Sequence, residues 1–277
     1  MGRRTSHVFR AAILVGAIAP VEASGDAAPR FFDPGVRLSA PQLAANQQFR
    51  FVTTADFPPF NMIGPTGNPA GFNIDLAREM CRELAVADRC SVQILPISEA
   101  LDAVRSGQAD ALIAGLAISP ETRGEFAFSL PYMHMPARFV TNSSTTPADG
   151  QWREKRVGVV AGSAHERMLR DFFQSARVVT YGRREWVLED LRAKKIDAAF
   201  GDGMTMSLWL NTEEGRQCCA FAGGAYLAPE YLGFGLSIAV PAGKATLATA
   251  FDFALRELER KGVTGELYLR YFPIGFF

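Results

Sequence analysis

The chain has 277 residues, 48% apolar and 21% charged, enough for two ordinary domains with packed cores, and this composition excludes a disordered protein. Its 29 basic and 29 acidic residues cancel to a formal net charge of zero. No Lys/Arg cluster is interleaved with aromatics, so neither nucleic acid nor an anionic membrane surface is expected as a partner.

The N-terminus opens with basic MGRRTSHVFR, continues with the apolar run AAILVGAIAP, and reaches a small-x-small end at Val21–Ala23. This order reads as a secretory signal peptide, residues 1–23, cleaved near Ala23. The alternative is an anchoring helix, but the apolar run is about half the ~20 residues a span needs. No cysteine follows it to carry a lipid. A free exported protein is therefore expected. Residues 24–45, rich in Ala, Pro, Gly and Gln, are read as a flexible leader.

Ordered structure is expected from FRFVTT (Phe49–Thr54), an alternating strand. DFPPFNM follows as a loop, since two prolines oppose strand and helix alike. GFNIDLAREMCREL is helical, with Asn73 as candidate cap and Ile74, Ala77, Met80, Cys81 and Leu84 on one face. SVQIL is a strand, SEALDAVRSG a capped helix closed by Gly107, and ADALIAG a buried strand. The alternation then repeats: RVGVVAG, a helix from Ser163, RVVTY, the helix REWVLEDLRAKK, and IDAAFGD. FGLSIAV is a further strand and KATLATAFDFALRELERKG a long amphipathic helix. Strands alternating with helices predict an α/β fold with mainly parallel sheets.

Two units share one grammar. ALDAVRSGQADALIAGL and VLEDLRAKKIDAAFGDG each run helix, turn, and a strand ending in small residues. In open α/β sheets the carboxyl ends of strands border the ligand crevice. Two such edges predict a cleft between two lobes.

Four cysteines suit an oxidising compartment. Cys81 and Cys90 bracket a helix end and turn, as a local disulfide or a pair of buried thiols. Cys218 and Cys219 are adjacent, and free thiols, partners elsewhere and a vicinal bridge all stay open. No metal or other cofactor is expected, because His134 and His165 have no Cys or carboxylate at ligand spacing.

Taken in order, DFPPFNM, GFNIDLAREMCREL, ALDAVRSGQADALIAGLAISPETRGEFAFSLPY, RVGVVAGSAHERML, IDAAFGD, FGLSIAV and LERKGVTGELYLRYF resemble the family 3 periplasmic solute-binding proteins, the amino-acid receptors of ABC importers. The resemblance runs from about Phe49 to Phe272. It implies a bilobal, type II periplasmic-binding-protein fold, with residues 46–136 plus 226–277 in one lobe, 137–225 in the other, and two crossover hinges. It also implies closure on an amino acid or similar small carboxylate, docking of a monomer on an inner-membrane ABC permease, and a periplasmic location. A disulfide resembling the Cys81–Cys90 pair occurs in basic-amino-acid receptors, at slightly shorter spacing.

The family motifs carry over to particular residues. Phe57 falls where an aromatic ring stacks on the ligand, covering an aliphatic chain or a cation. Asp202 falls where a carboxylate takes the ligand ammonium, although an Asp before Gly203 also suits a plain turn. Ser163 opens a helix whose N–H groups could hold a carboxylate, a residue type that ordinary capping also selects. Ala164 stands where the family often has Thr, and His165 adjoins it. The family arginine of the TPxR motif falls on Thr122, while this chain has Arg123 one residue later. One residue turns a helix by about 100°, so Arg123 either still reaches a carboxylate or faces solvent. Ala114, Gly115 and Ala117 replace the hydroxyl residues common in receptors for polar ligands and imply a roomier, less polar wall.

Two other readings compete. The same fold carries a cyclohexadienyl dehydratase, which needs a general acid in the cleft; Glu121, Asp56, Asp202 and His165 are candidates. A ligand sensor without transport is the other. Binding without chemistry fits the residues better, because no nucleophile–base pair, phosphate loop or metal set is legible.

Overall fold

A computed structural model describes residues 28–33, 35–142 and 152–277. The expected signal peptide, residues 1–23, lies outside them, as does the start of the leader. The first part of the chain gives β1 (Phe49–Thr53), a hairpin of β2 (Met62–Ile63) and β3 (Pro69–Ala70), α1 (Phe72–Glu83), β4 (Cys90–Ile94), α2 (Ile97–Arg105), β5 (Ala111–Leu112), α3 (Pro120–Glu125) and β6 (Phe126–Phe128). The middle gives β7 (Ala137–Asn142), β8 (Arg156–Val160), α4 (Ala164–Phe172), β9 (Arg177–Tyr181), α5 (Arg184–Arg192), β10 (Ala198–Asp202), α6 (Gly203–Leu210), α7 (Glu213–Cys218) and β11 (Cys219–Tyr226). The last part adds α8 (Pro229–Leu232), β12 (Ala239–Pro241), α9 (Ala245–Arg260) and α10 (Val263–Tyr271).

Ten of these strands form two five-stranded sheets, ordered β4-β1-β5-β12-β6 and β11-β7-β10-β8-β9, and β2 and β3 pair antiparallel with each other. The chain leaves the first sheet after Phe128, enters the second at Ala137, and crosses back between Tyr226 and Ala239. Two lobes joined by two crossovers result. The parallel pairings expected from the alternation are β1–β4, β1–β5, β8–β9 and β8–β10. The remaining pairings of these two sheets are antiparallel: β5–β12, β6–β12, β7–β10 and β7–β11. Each sheet is thus mixed, because β7 and β12, the strands entered from the crossovers, run antiparallel to their neighbours, while the helically connected strands run parallel to one another.

Burial explains the arrangement. β1 lies between β4 and β5, and Phe49, Phe51 and Val52 are buried. Helix α9 turns Leu247, Phe251, Ala254, Leu255 and Leu258, spaced by three and four, into a core shared with Met80 and Leu76 of α1. Asn73 does not cap α1: Gly71 holds the N-cap position, and Asn73 is fully buried inside the first turn. Its amide donates to Asn61 Oδ1 at 2.6 Å, and its own Oδ1 accepts from the Tyr132 hydroxyl at 2.8 Å. The residue type that suggested a cap serves instead a buried network, where each polar group needs a partner. Helix α2 starts after Pro96 with no side-chain cap. Only Ala239 and Val240 of the expected FGLSIAV strand fall in β12, and Gly233 and Gly235 on either side of Phe234 take left-handed φ of 76° and 100°.

Both cysteine pairs are bonded, Cys81 to Cys90 and Cys218 to Cys219, so the vicinal bridge is the option realised. The arm from Ala28 runs against the first lobe, where the N–H groups of Phe31 and Phe32 donate to the Glu259 carboxylate at 2.7 and 3.0 Å. The C-terminus ties the lobes a third time. Phe276 is buried in the first-lobe core and its N–H donates to the Tyr268 hydroxyl at 2.7 Å. Two residues earlier, Ile274 packs on the second-lobe core, and its carbonyl accepts from the Ser207 hydroxyl of α6. Met204 of α6 joins the first-lobe core in turn. The helix that begins at Asp202 is therefore gripped from both sides.

Candidate functional site

Strand β10 delivers Asp202 to its carboxyl end, where the chain turns directly into α6. Asp202 is the N-cap of α6: its Oδ1 accepts from Thr205 N at 2.7 Å and from the Thr205 hydroxyl. Among the described residues no hydrogen bond reaches Oδ2. One oxygen fixes the side chain and the other remains available in a half-buried setting.

Ser163 caps α4 in the same way, accepting from Glu166 N at 3.1 Å while its hydroxyl donates to the Val160 carbonyl at 2.7 Å. Glu166 reaches back so that its Oε2 accepts from Gly162 N at 2.7 Å. That bond, with the Arg170 guanidinium, holds the Glu166 carboxyl below its ordinary range. The N–H groups of Ala164 and His165, at the first two helical positions, have no partner inside the helix.

Ser163, His165 and Asp202 line one cavity of about 260 Å³ together with Arg184. Its apolar walls come from Val160, Val187, Leu188, Phe200 and Met206. Burial pushes the His165 imidazole below its ordinary value, while the nearby Asp202 carboxylate pulls the other way. Its ring meets Phe200 edge-on at 6.3 Å. The structure thus unites three of the residues that the sequence singles out, and all the lining belongs to the second lobe.

The first-lobe candidates form a separate group. Phe57 is half-buried and stacks on Phe60 at 4.7 Å, and Phe60 itself is fully buried. Gly115 has φ +75°, and a Cβ there would stand 3.1 Å from the Phe57 ring, so the small residue lets the ring lie against the backbone. Ala114 is partly buried against the core beneath α2, and Ala117 is exposed. Thr122 forms a capping box: its hydroxyl accepts from Ser119 N at 2.9 Å and donates to the Ala117 carbonyl at 2.8 Å. Arg123 is exposed, with its guanidinium 6.0 Å from the centre of the Phe234 ring. Neither Arg184 nor Phe234 is marked by a local motif. Arg184 stands in a basic, exposed helix start with no motif around it; Phe234 lies in a segment read as strand.

A larger cavity of about 650 Å³ lies between the β4 edge and α2, with Arg50, Glu99, Asp102 and Gln108 in its walls. None of the candidate residues touches it. The smaller cavity is preferred as the site because it joins a half-buried carboxylate to a helix start at the carboxyl ends of two strands.

Two lobes with mixed sheets, two crossovers and a strand-end carboxylate define a type II binding-protein architecture. The chain belongs to the bacterial extracellular solute-binding proteins, family 3, whose pattern matches residues 49–274. Its relatives include the L-arginine-binding protein of Pseudomonas aeruginosa, 29% identical over 240 residues, covering 85% of this chain and 92% of that one. The lysine/arginine/ornithine-binding periplasmic protein of Escherichia coli is 28% identical over 248 residues, covering 88% and 95%. In fold, the L-cystine solute receptor of Neisseria gonorrhoeae in its unliganded open conformation aligns with TM-score 0.72 at 17% identity, covering 83% of this chain and 94% of that one. An ancestral cyclohexadienyl dehydratase shares the fold at TM-score 0.69 and 18% identity, covering 84% and 99%.

Proposed function

We propose that the protein is a periplasmic receptor that captures an amino acid or similar small carboxylate and hands it unchanged to an ABC importer. The observation that carries this reading is the cavity beside Asp202. A carboxylate oxygen left open next to a helix start suits a zwitterion: the oxygen takes an ammonium, and the Ser163–His165 segment takes a carboxylate. Phe57 would cover the ligand from the first lobe, beside the Ala114, Gly115 and Ala117 wall. Closure would turn on the crossovers at 129–136 and 227–238, with the ligand favouring the closed state because only there do both lobes touch it. A monomer docked on an inner-membrane permease completes the proposal. The names of the curated relatives support it, as does the match along residues 49–274.

Binding without turnover is favoured over dehydratase chemistry by the state of the acids. A general acid needs a raised pKa. Glu121 is exposed, and the Ser119 hydroxyl, at 2.6 Å, holds its carboxyl below the ordinary range. Asp56 is exposed, one oxygen of Asp202 is held by Thr205 as the cap of α6, and burial lowers the His165 imidazole, which disfavours its protonated, acid form. Incubation with prephenate or arogenate tests this directly: unchanged substrate supports a receptor, and an aromatic product would make it an enzyme.

A further inference from the structure

The cavity beside Asp202 has a charge pattern unsuited to a cationic side chain. Val187, Leu188, Phe200 and Met206 are each less than a tenth exposed, so its floor is apolar. Asp202 is the single carboxylate in its lining. At the rim stands Arg184, the first residue of α5, whose side chain keeps 48% exposure and pairs loosely with Glu185 at 3.6 Å. If Asp202 takes the ligand ammonium, no acid is left in this lining for a second cation. A guanidinium or ammonium entering deeper would shed water against apolar walls and meet the like charge of Arg184. An aliphatic or thioether side chain would instead cover surface that the cavity leaves wet. A volume of about 260 Å³ falls just below the range for drug-sized ligands and suits one small amino acid.

We infer that this cavity selects an amino acid with an uncharged, apolar side chain, and that Arg184 at its rim turns away a cationic one. The inference rests on the receptor reading and on Asp202 as the ammonium partner. It departs from the basic ligands in the names of the curated relatives.

Calorimetric titration of the purified protein with L-leucine, L-methionine, L-arginine, L-lysine and L-glutamate tests it. Leucine or methionine is expected to bind at least tenfold tighter than arginine or lysine, and than glutamate, whose carboxylate would also lose its water against the buried floor of Val187, Leu188, Phe200 and Met206. Arg184→Glu should narrow the preference over arginine at least tenfold, with an unaltered circular dichroism spectrum; the site is exposed and an acid suits a helix first turn. Arg184→Gln should give a smaller change in the same direction. Arginine, lysine or glutamate binding as tightly as the apolar pair would overturn the inference and leave the receptor reading standing. An unchanged ratio in Arg184→Glu would remove Arg184 from the account. If only small carboxylates other than amino acids bind, the inference fails and the receptor reading stands; if nothing in a full panel of amino acids and small carboxylates binds, the receptor reading fails first and the inference with it.

Discussion

Asp202 and Thr205 are joined through a single carboxylate oxygen, which accepts from the Thr205 N–H at 2.7 Å and from its hydroxyl. The side chain that would hold the ligand is thus held by the helix it starts. Asp202→Asn keeps a cap acceptor and removes the charge; Asp202→Ala removes both. Both variants should weaken ligand binding at least tenfold in calorimetry. Only Asp202→Ala should also lose about 1 kcal/mol of stability in denaturant unfolding. Affinity unchanged in Asp202→Asn would take Asp202 out of the site.

Arg123 lies in solvent against Phe234, not against a carboxylate partner. Arg123→Ala should therefore leave ligand affinity within about twofold, since an exposed cation–π contact contributes only about 0.5–1 kcal/mol, and to stability. A tenfold loss of affinity would show that closure carries Arg123 into the site.

Burial lowers the imidazole pKa of His134 in the first crossover, and of His165 beside Asp202. Hydrogen bonding to the Phe234 carbonyl and the Asp202 charge, respectively, offset part of this. Lowered folded values mean that the unfolded chain binds more protons once the pH falls below about 6.5. Stability is then fully present above that pH and declines as pH falls toward the folded values. The melting temperature should drop between pH 7.5 and 5.5, and less so in a His134→Gln/His165→Gln variant. A wild-type melting temperature that rises over this interval would contradict the assignment.

The C-terminal tie has a separate test. Phe276 is fully buried, so Phe276→Ala should cost about 3–5 kcal/mol, read as a large fall in the denaturation midpoint. Ser207→Ala, which leaves the Ile274 carbonyl without its donor, should cost about 1–3 kcal/mol. A neutral result for both would mean that the tail is not part of the packed fold.

The disulfide between Cys81 and Cys90 closes a loop with sequence separation 9. In the chain-entropy account a loop of that size contributes about 2–3 kcal/mol. The Cys81→Ser/Cys90→Ser variant should lose about that much in guanidinium unfolding. A loss well under 1 kcal/mol would point to a denatured state already compact in this segment.

Much of this molecule is legible in the sequence because α/β alternation writes its period plainly. The helices from Phe72, Ala164 and Ala245 and the strand that ends at Asp202 are recoverable from apolar spacing and small-residue strand ends. Strands β7 and β11 are not, since ARFVTN and CAFAGGAY lack a clean alternation and pair with each other over a long stretch of chain, Asn142 opposite Cys219. The role of Asn73 was hidden because a cap and a buried amide network select the same residue type. Arg184 was hidden because a rim residue is defined by the cavity it borders, which no local pattern encodes.

The central claim is that the chain binds a small zwitterion without changing it. The most direct measurement is thermal unfolding of the purified protein against single amino acids and small carboxylates, with the ligand recovered and analysed afterwards. A ligand at 100 times its dissociation constant should add about 2.7 kcal/mol, a shift of several degrees, and return unaltered. No shift with any compound, or a recovered ligand that has been converted, would contradict the account.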